Sequence, residues 1–295
     1  MGGADEDLPA GAAGREGGRA VDDDGERLSP RARAQTAARP DRTQAAAATG
    51  AMSDPVQLFH TCLVNEIAPE VGMAAVRLLE RLGHRVEVPL AQTCCGQPAY
   101  NAGFHEEAKA AARHTLDVLG ATTGPIVIPS GSCGDMVIHQ YEVLFRDEPE
   151  WREKAHAVAA RCRELSQFLA EEWAKMPDRP RLSARIAYHP SCHLLRGLGV
   201  SDAPLSLLRA IEGVTLAEVK DQDECCGFGG LFSVKQPEIS GSMLERKLAS
   251  VAASGAGRLV SCDLGCLMHL GGGLRRQGSP IAVQHLAQVL DEALP

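Results

Sequence analysis

The chain has 295 residues, 44% of them hydrophobic, which is enough for one large domain or for two ordinary domains with apolar cores. Its formal net charge of -8, without blocks of Lys or Arg, argues against a surface that binds nucleic-acid phosphates. The sequence has no run of about 18 apolar residues and no hydrophobic signal core at its N-terminus, so it predicts a cytoplasmic protein without a transmembrane segment.

The first part of the chain differs from the rest in composition. Residues 1–52 are rich in Ala, Gly, Arg and Asp, and they lack aromatic residues and a sustained apolar period. Such a segment cannot bury enough apolar surface to offset the entropy of ordering. We therefore predict a disordered tail over residues 1–52.

From Val56 onward, short β-like runs alternate with helical stretches. The runs VQLFHTC, VEVPL and PIVIPSGSC are separated by a helix from Pro69 that stops at Gly83 and by a second helix after Gly103. The alternation returns with RIAYHPSC, VTLAEV, a helix over residues 237–254 and RLVSCDLGC. This βαβ rhythm predicts an α/β fold with parallel sheets.

A charged stretch separates these two series of elements. Residues 151–175 have a helical composition, and a polar linker follows them. We place the domain boundary near residue 180, which gives a first domain over residues 53–180 and a second over residues 181–295.

Eight of the ten cysteines fall into two matching sets, separated by 130 to 133 positions. The first set is Cys62, Cys94, Cys95 and Cys133, and the second is Cys192, Cys225, Cys226 and Cys266. A repeat at a nearly fixed, domain-sized offset indicates two similar halves. In a reducing compartment, cysteines serve metal or redox sites more often than structural disulfides.

The predicted elements bring each set of four thiols together. Every one of these cysteines follows a predicted strand or precedes a predicted helix, so each set should gather at the carboxyl edge of its sheet. Helix N-termini favour the thiolate, which is the form that binds metal. Disulfides within the adjacent pairs would be strained, because neighbouring Cα atoms lie about 3.8 Å apart and disulfides prefer roughly 4.4–6.8 Å.

Thiolates are soft ligands that select zinc or iron–sulfur clusters. Structural zinc sites usually contain two closely spaced C-x₂₋₄-C pairs, whereas here the cysteines of each set are widely separated apart from one adjacent pair. A glycine after each pair, Gly96 or Gly227, lets the backbone turn close to a bulky inorganic core. We predict iron–sulfur clusters, with zinc as the alternative.

The motifs FHTCLVN, CCGQPA, PSGSC, YHPSCH, ECCGFGG and CLMH resemble those of the cysteine-rich CCG-domain family. This family occurs in the B subunit of heterodisulfide reductase and in the iron–sulfur subunits of glycolate oxidase and anaerobic glycerol-3-phosphate dehydrogenase. The resemblance covers residues 56–294 and is strongest toward members that serve lactate oxidation. It implies two pseudo-repeated, Rossmann-like parallel-sheet domains.

The resemblance also implies a function and partners. It implies an oxidoreductase subunit that is inactive on its own and that transfers electrons during L-lactate oxidation. The expected partners are a ferredoxin-like iron–sulfur protein and a third protein of the same system, with a peripheral electron acceptor. The sequence lacks the C-x₂-C-x₂-C-x₃-C-P motif of ferredoxins, so a partner would supply such clusters.

For the metal, the resemblance implies that each set of four cysteines holds one site of [4Fe–4S] type. In the heterodisulfide reductase relatives, a fifth cysteine in a final CxxC completes a non-cubane cluster. Here Met136 and His269 stand at that fifth position. His269 and Cys262 are candidates for an additional ligand at the second site, whereas the first-half counterpart of Cys262 is Pro129.

The other cysteine and histidine residues have simpler interpretations. We predict that Cys162 is a structural thiol. His60, His189 and His193 flank predicted ligands, and they either tune the metal through hydrogen bonds or are structural.

Nucleotide, flavin and hydrolase motifs are absent from the sequence, so we predict no catalytic residue. Two other functions stay open, namely a thiol–disulfide reductase subunit and a zinc-stabilised interaction module.

Overall fold

The computed structural model describes residues 54–295, so the tail predicted over residues 1–52 lies outside the described residues. Two four-stranded sheets form the framework, and every strand pairing in them is parallel. Helices surround both sheets. The predicted α/β fold with two similar parallel-sheet halves is confirmed.

The first sheet has the order β2-β1-β3-β4. Its strands are β1 (Val56–Leu58), β2 (Val86–Glu87), β3 (Ile126–Ile128) and β4 (Cys162–Glu164). The helices of this half are α1 (Cys62–Ile67), α2 (Pro69–Arg81), α3 (Gln97–Asn101), α4 (His105–Gly120), α5 (Gly131–Asp135), α6 (Tyr141–Leu144), α7 (Pro149–Ala159) and α8 (Leu165–Glu172). A π-helical turn over Met136–Gln140 joins α5 to α6.

The second sheet repeats this arrangement with the order β6-β5-β7-β8. Its strands are β5 (Arg181–Tyr188), β6 (Glu212–Leu216), β7 (Arg258–Ser261) and β8 (Ala282–His285). The helices are α9 (Asp202–Arg209), α10 (Leu231–Lys235), α11 (Pro237–Ala253), α12 (Leu264–Arg276) and α13 (Leu286–Ala293). A second π-helical turn, His193–Gly197, directly follows Cys192.

Helix α2 illustrates how the sequence determines an element. Pro69 occupies the first turn, where its missing N–H costs nothing, and the helix ends at Arg81 just before Gly83, whose φ is 87°. Its apolar stripe, which includes Val71, Leu78 and Leu79, is buried in the core.

One prediction about the connecting segment was wrong. Residues 151–175 do not form one helical stretch, because β4 interrupts them and Cys162 is its first residue. Cys162 pairs in register with Ile126, and its side chain is buried in the core of the first half. The strand is three residues long, has the sequence CRE and lies between charged helices, so the sequence contains no apolar run that would predict it.

The two halves share a continuous apolar core. Residues from both sheets belong to one cluster, in which α2 packs against α13 and α8 against α9. Arg77 on α2 also forms an ion pair with Asp291 on α13. Within residues 54–295, no helix combines the length and apolar character that crossing a bilayer would require.

Strand register defines which residues are equivalent in the two halves. The N–H of Phe59 donates to the carbonyl of Val127, and the N–H of His189 donates to the carbonyl of Val260. These pairs occupy the same places in the two sheets, since β1 pairs with β3 as β5 pairs with β7. Phe59 and His189 are therefore structural counterparts.

Candidate metal centre

A single cavity of about 260 Å³ lies at the carboxyl ends of the central strands of both sheets. All eight cysteines of the two sets line it. The other lining residues include Thr61, Ser130, Ser191, His193 and Asp263. The expectation that each set gathers at a sheet edge is met, and the two edges open onto the same space.

In the first half, three segments present the thiols. Cys62 begins α1, the pair Cys94 and Cys95 lies in the loop before α3, and Cys133 lies in α5. The Sγ atoms of Cys95 and Cys133 are 3.4 Å apart, and the N–H of Gly96 donates to Sγ of Cys94 at 3.5 Å. All of these thiols are free, so no disulfide is formed within the adjacent pair.

The second half presents its thiols from the equivalent segments. Cys192 follows β5, Cys225 and Cys226 lie in the loop before α10, and Cys266 lies in the first turn of α12. The N–H groups of Gly227 and Phe228 donate to Sγ of Cys225 and Cys226 at 3.4 and 3.5 Å.

The glycine that follows each cysteine pair is required by the backbone. Gly96 and Gly227 have φ values of 82° and 90°, in the left-handed region. A Cβ at Gly227 would lie 2.7 Å from the carbonyl oxygen of Ser240, and one at Gly96 would lie 3.1 Å from that of Ala108. The glycines therefore allow each cysteine loop to lie directly against helix α4 or α11.

The helices that carry the last cysteine of each set are joined at the cavity. Ser130 and Asp263 are the N-cap residues of α5 and α12, and they accept hydrogen bonds from the N–H groups of Cys133 and Gly265. Asp263 also accepts a 2.8 Å hydrogen bond from the N–H of Ser132 in the other half. This carboxylate fixes the two helix N-termini relative to each other.

The thiols in each set perturb one another electrostatically. Hydrogen bonds from Cys62 and Cys95 lower the pKa of Cys94 to about 2, and hydrogen bonds from Cys192 and Cys226 lower that of Cys225 to about 2. The pKa values of the donor thiols Cys62 and Cys192 are raised, first by these same hydrogen bonds and then by burial. Each set can therefore ionise fully only when positive charge is supplied, and the donor set fits a cationic metal centre.

His189 lies beside the second set, deeper than the cavity wall. One donor atom each from His189, Cys226 and Cys266 lies within 4.8 Å of the others. The ring is buried, and its pKa is lowered to about 3, chiefly by burial and then by the positive charge of Lys247. The sequence placed His189 next to a predicted ligand, but it gave no sign that this ring, rather than that of His60 or His193, faces two sulfurs.

The other candidate histidines have protein partners. His193 pairs with Asp135 of the first half at 2.8 Å, and His60 places Nδ1 3.2 Å from the carbonyl of Thr61. His269 places Nε2 3.4 Å from the hydroxyl of Ser240 and does not line the cavity.

The remaining sulfur candidates lie apart from the eight. Cys262 is fully buried, 3.7 Å from the hydroxyl of Tyr188, and does not line the cavity. Met136 is buried in the apolar core of the first half. In these positions, neither sulfur atom lies at the cavity, where a fifth ligand would be needed.

Both halves of the chain match a known protein family. The model of the cysteine-rich domain family, CCG, matches residues 56–138 and 186–271. The chain is similar to a protein called lactate utilization protein A from Halalkalibacterium halodurans, with 46% identity over 80% of this chain and 96% of that protein. It is likewise similar to lactate utilization protein A from an Exiguobacterium species, with 45% identity over 81% of this chain and 98% of that protein.

One solved structure shares the fold. The crystal structure of a hypothetical protein from Helicobacter pylori aligns with a TM-score of 0.56 and 13% identity, over 83% of this chain. The chain spans 51% of the length of that protein. At this level of identity the likeness concerns the fold alone.

Proposed function

The chain belongs to the cysteine-rich domain family, and from this membership we propose that it is an iron–sulfur electron-transfer subunit of an L-lactate oxidation system. The observation that carries the proposal is the convergence of eight free thiols, in two sets of four, on one cavity. Thiolates in this number, two of them adjacent in each set, suit multi-iron clusters better than single tetrahedral ions.

Two sites follow from this arrangement. Cys62, Cys94, Cys95 and Cys133 would hold the first cluster, and Cys192, Cys225, Cys226 and Cys266 would hold the second, each of [4Fe–4S] type. A bound cluster of this type accepts and releases one electron. Each half contributes four cysteines to the lining of the cavity. The five-cysteine pattern of non-cubane clusters is therefore not met by cysteine alone.

The residues of the chain would set the properties of each site. Backbone N–H groups of Gly96, Gly227 and Phe228 donate to sulfur and would stabilise negative charge there, which raises the reduction potential. Burial of Cys95, Cys133, Cys226 and Cys266 limits access of water to the sulfurs. Both sets line the same cavity, so the two clusters would face one common space.

The relatives named lactate utilization protein A support the lactate assignment and a multi-protein system. We propose lactate utilization proteins B and C as partners, with B as the ferredoxin-like iron–sulfur protein, and a peripheral electron acceptor. The chain would act in the cytoplasm as an oxidoreductase subunit that is inactive on its own.

Anaerobic purification with iron and acid-labile sulfide assays, absorption spectra and EPR tests the proposal. We expect iron and sulfide in about equal amounts and a cluster EPR signal that Cys94→Ser diminishes. Cys162→Ser is the matched control, because Cys162 is a buried cysteine outside the cavity. Zinc without sulfide would overturn the proposal in favour of the zinc-stabilised interaction module.

A thiol–disulfide reductase is the second candidate function. It is favoured by the low pKa values of Cys94 and Cys225, which are only partly buried and line the cavity. Turnover of a small disulfide by the isolated, iron-free protein, with an added electron donor as the reductant, would support it. Activity that appears only with partner proteins would count against it.

A further inference from the structure

The imidazole of His189 has no hydrogen-bond partner among residues 54–295. The side chain is 1% exposed, and neither Nδ1 nor Nε2 has a partner. Buried polar atoms in native proteins are almost always paired, because an unpaired one carries its full desolvation cost. A buried ring with both nitrogens unpaired therefore indicates a further interaction.

The position of the ring identifies that interaction. One donor atom of His189 lies within 4.8 Å of the sulfurs of both Cys226 and Cys266. Donor atoms that share a tetrahedral metal, with bonds of about 2.0–2.3 Å, lie roughly 3.5–4 Å apart. A shift of about an ångström would bring the three atoms into a common coordination sphere.

The first half has no nitrogen donor at the equivalent place. Its structural counterpart of His189 is Phe59, which is buried and occupies the same hydrogen-bonded place beside β3. A phenyl ring cannot ligate a metal, so the two halves differ at a residue that lies behind the thiols.

We propose that His189 is a nitrogen ligand of the metal at the second site, which gives that site mixed Cys–His coordination while the first has cysteine ligands alone. This inference rests on the proposed function, because it concerns the cluster held by the second set. Histidine ligation of iron–sulfur clusters has a chemical precedent in Rieske centres, where it raises the reduction potential.

Pulsed EPR on protein labelled with ¹⁵N-histidine tests the inference without altering the chain. In the paramagnetic state of the purified cluster protein, we expect a strong coupling of the kind that a directly bound nitrogen gives. His189→Phe, which copies the first half, should abolish this coupling, and His189→Gln serves if the phenylalanine variant does not fold. His269→Gln, in the same half but with its Nε2 placed 3.4 Å from the hydroxyl of Ser240, should leave the coupling unchanged.

Iron and sulfide assays on the same samples separate the two proposals. Iron and sulfide present without a strong histidine coupling would overturn the ligation by His189 and leave the proposed function intact. A strong coupling that persists in both His189 variants would also overturn it. Absence of iron and sulfide from the wild-type protein would overturn the proposed function and this inference with it.

Discussion

The two halves of the molecule use one scaffold but surround their thiols with different residues. Both sheets have the same strand order, and both cysteine pairs are followed by a left-handed glycine that lies against a helix. Behind the thiols the halves diverge, with Phe59 in the first and His189 in the second. The repeated fold determines the positions of the cysteine sulfurs. The residues around these sulfurs make the two sites chemically distinct.

Helix α4 and its counterpart α11 continue the contrast. Ala108 and Ser240 occupy equivalent places, since each presents its carbonyl to the glycine after the cysteine pair. Seven residues, or about two turns, further along lie Thr115 and Lys247. Both are buried, but only Lys247 brings a positive charge, whose ammonium group donates to the carbonyls of Asp221 and Gln222.

The fourth strand of each sheet gives a third contrast. Glu164 ends β4 and His285 ends β8, in register with the third strands, and each caps the helix that follows. Burial acts on the two groups in opposite directions: it raises the pKa of Glu164 to about 7 and lowers that of His285 to about 4. One structural position thus carries an acid in one half and a base in the other.

The largest expected effect is a loss of iron when each site is disrupted in turn. Cys94→Ser and Cys225→Ser each remove one thiol of an adjacent cysteine pair. We expect each variant to lose about half of its iron, because the unaltered set of cysteines keeps its cluster. Iron analysis and EPR of the two variants measure this. Loss of all iron from either variant would show that the sets form one metal site rather than two.

The next largest effect concerns stability and pH. Because the folded-state pKa of Glu164 is raised from 4.5 to about 7, its stabilising contribution is complete below pH 4.5 and is lost as the pH rises through 7. Glu164→Gln keeps the carbonyl acceptor for Ser166 and removes the charge, so it should be more stable than the wild type at pH 8, by about 3 kcal/mol. Denaturant unfolding of the apoprotein at pH 5 and pH 8 gives the comparison.

His285 supplies the matched contrast to Glu164. Its folded-state pKa is lowered from 6.5 to about 4, so its contribution is complete above pH 6.5 and is lost as the pH falls toward 4. The contribution of His285 is common to the wild type and Glu164→Gln, so a variant whose stability changes between pH 5 and pH 8 by the same amount as that of the wild type would contradict the assignment to Glu164.

Substitution of the two glycines compares the backbones of the cysteine loops. Gly227→Ala would place a Cβ 2.7 Å from a backbone oxygen at positive φ, so we expect a loss of about 2 kcal/mol in the free energy of unfolding. Gly96→Ala, with 3.1 Å to the equivalent oxygen, should cost less. Gly241→Ala in α11 meets open space and should be neutral or stabilising by up to ~1 kcal/mol. Equal losses for all three variants would argue against a special role of these turns.

Much of this comparison was accessible from the sequence. The parallel sheets follow from local periodicity, and the gathering of each cysteine set follows from the strand-end positions of residues such as Cys62 and Cys192. The strands β4 and β8 were not predicted, because their sequences, CRE and AVQH, contain charged or polar residues in place of the apolar run that marks β3.

Two features of the site differ in how far the sequence could reveal them. The 130-residue offset between Cys62 and Cys192 already pairs Phe59 with His189 in the sequence, and the strand register confirms this equivalence. That both sets share one cavity depends on the packing of α2 against α13, to which no local motif points.

The smallest expected effect is electrostatic and falls on one site only. Lys247 is 2% exposed and lies near the second set, so its positive charge should stabilise the reduced, more negative cluster. Lys247→Met should therefore lower the reduction potential of the second cluster by on the order of tens of millivolts and leave the first unchanged, because Thr115 stands at the equivalent place there. Lys220→Met, which removes an exposed lysine, is the control. A redox titration followed by EPR, with iron content measured in parallel, gives both reduction potentials. An equal shift of the two potentials in Lys247→Met would contradict the electrostatic asymmetry.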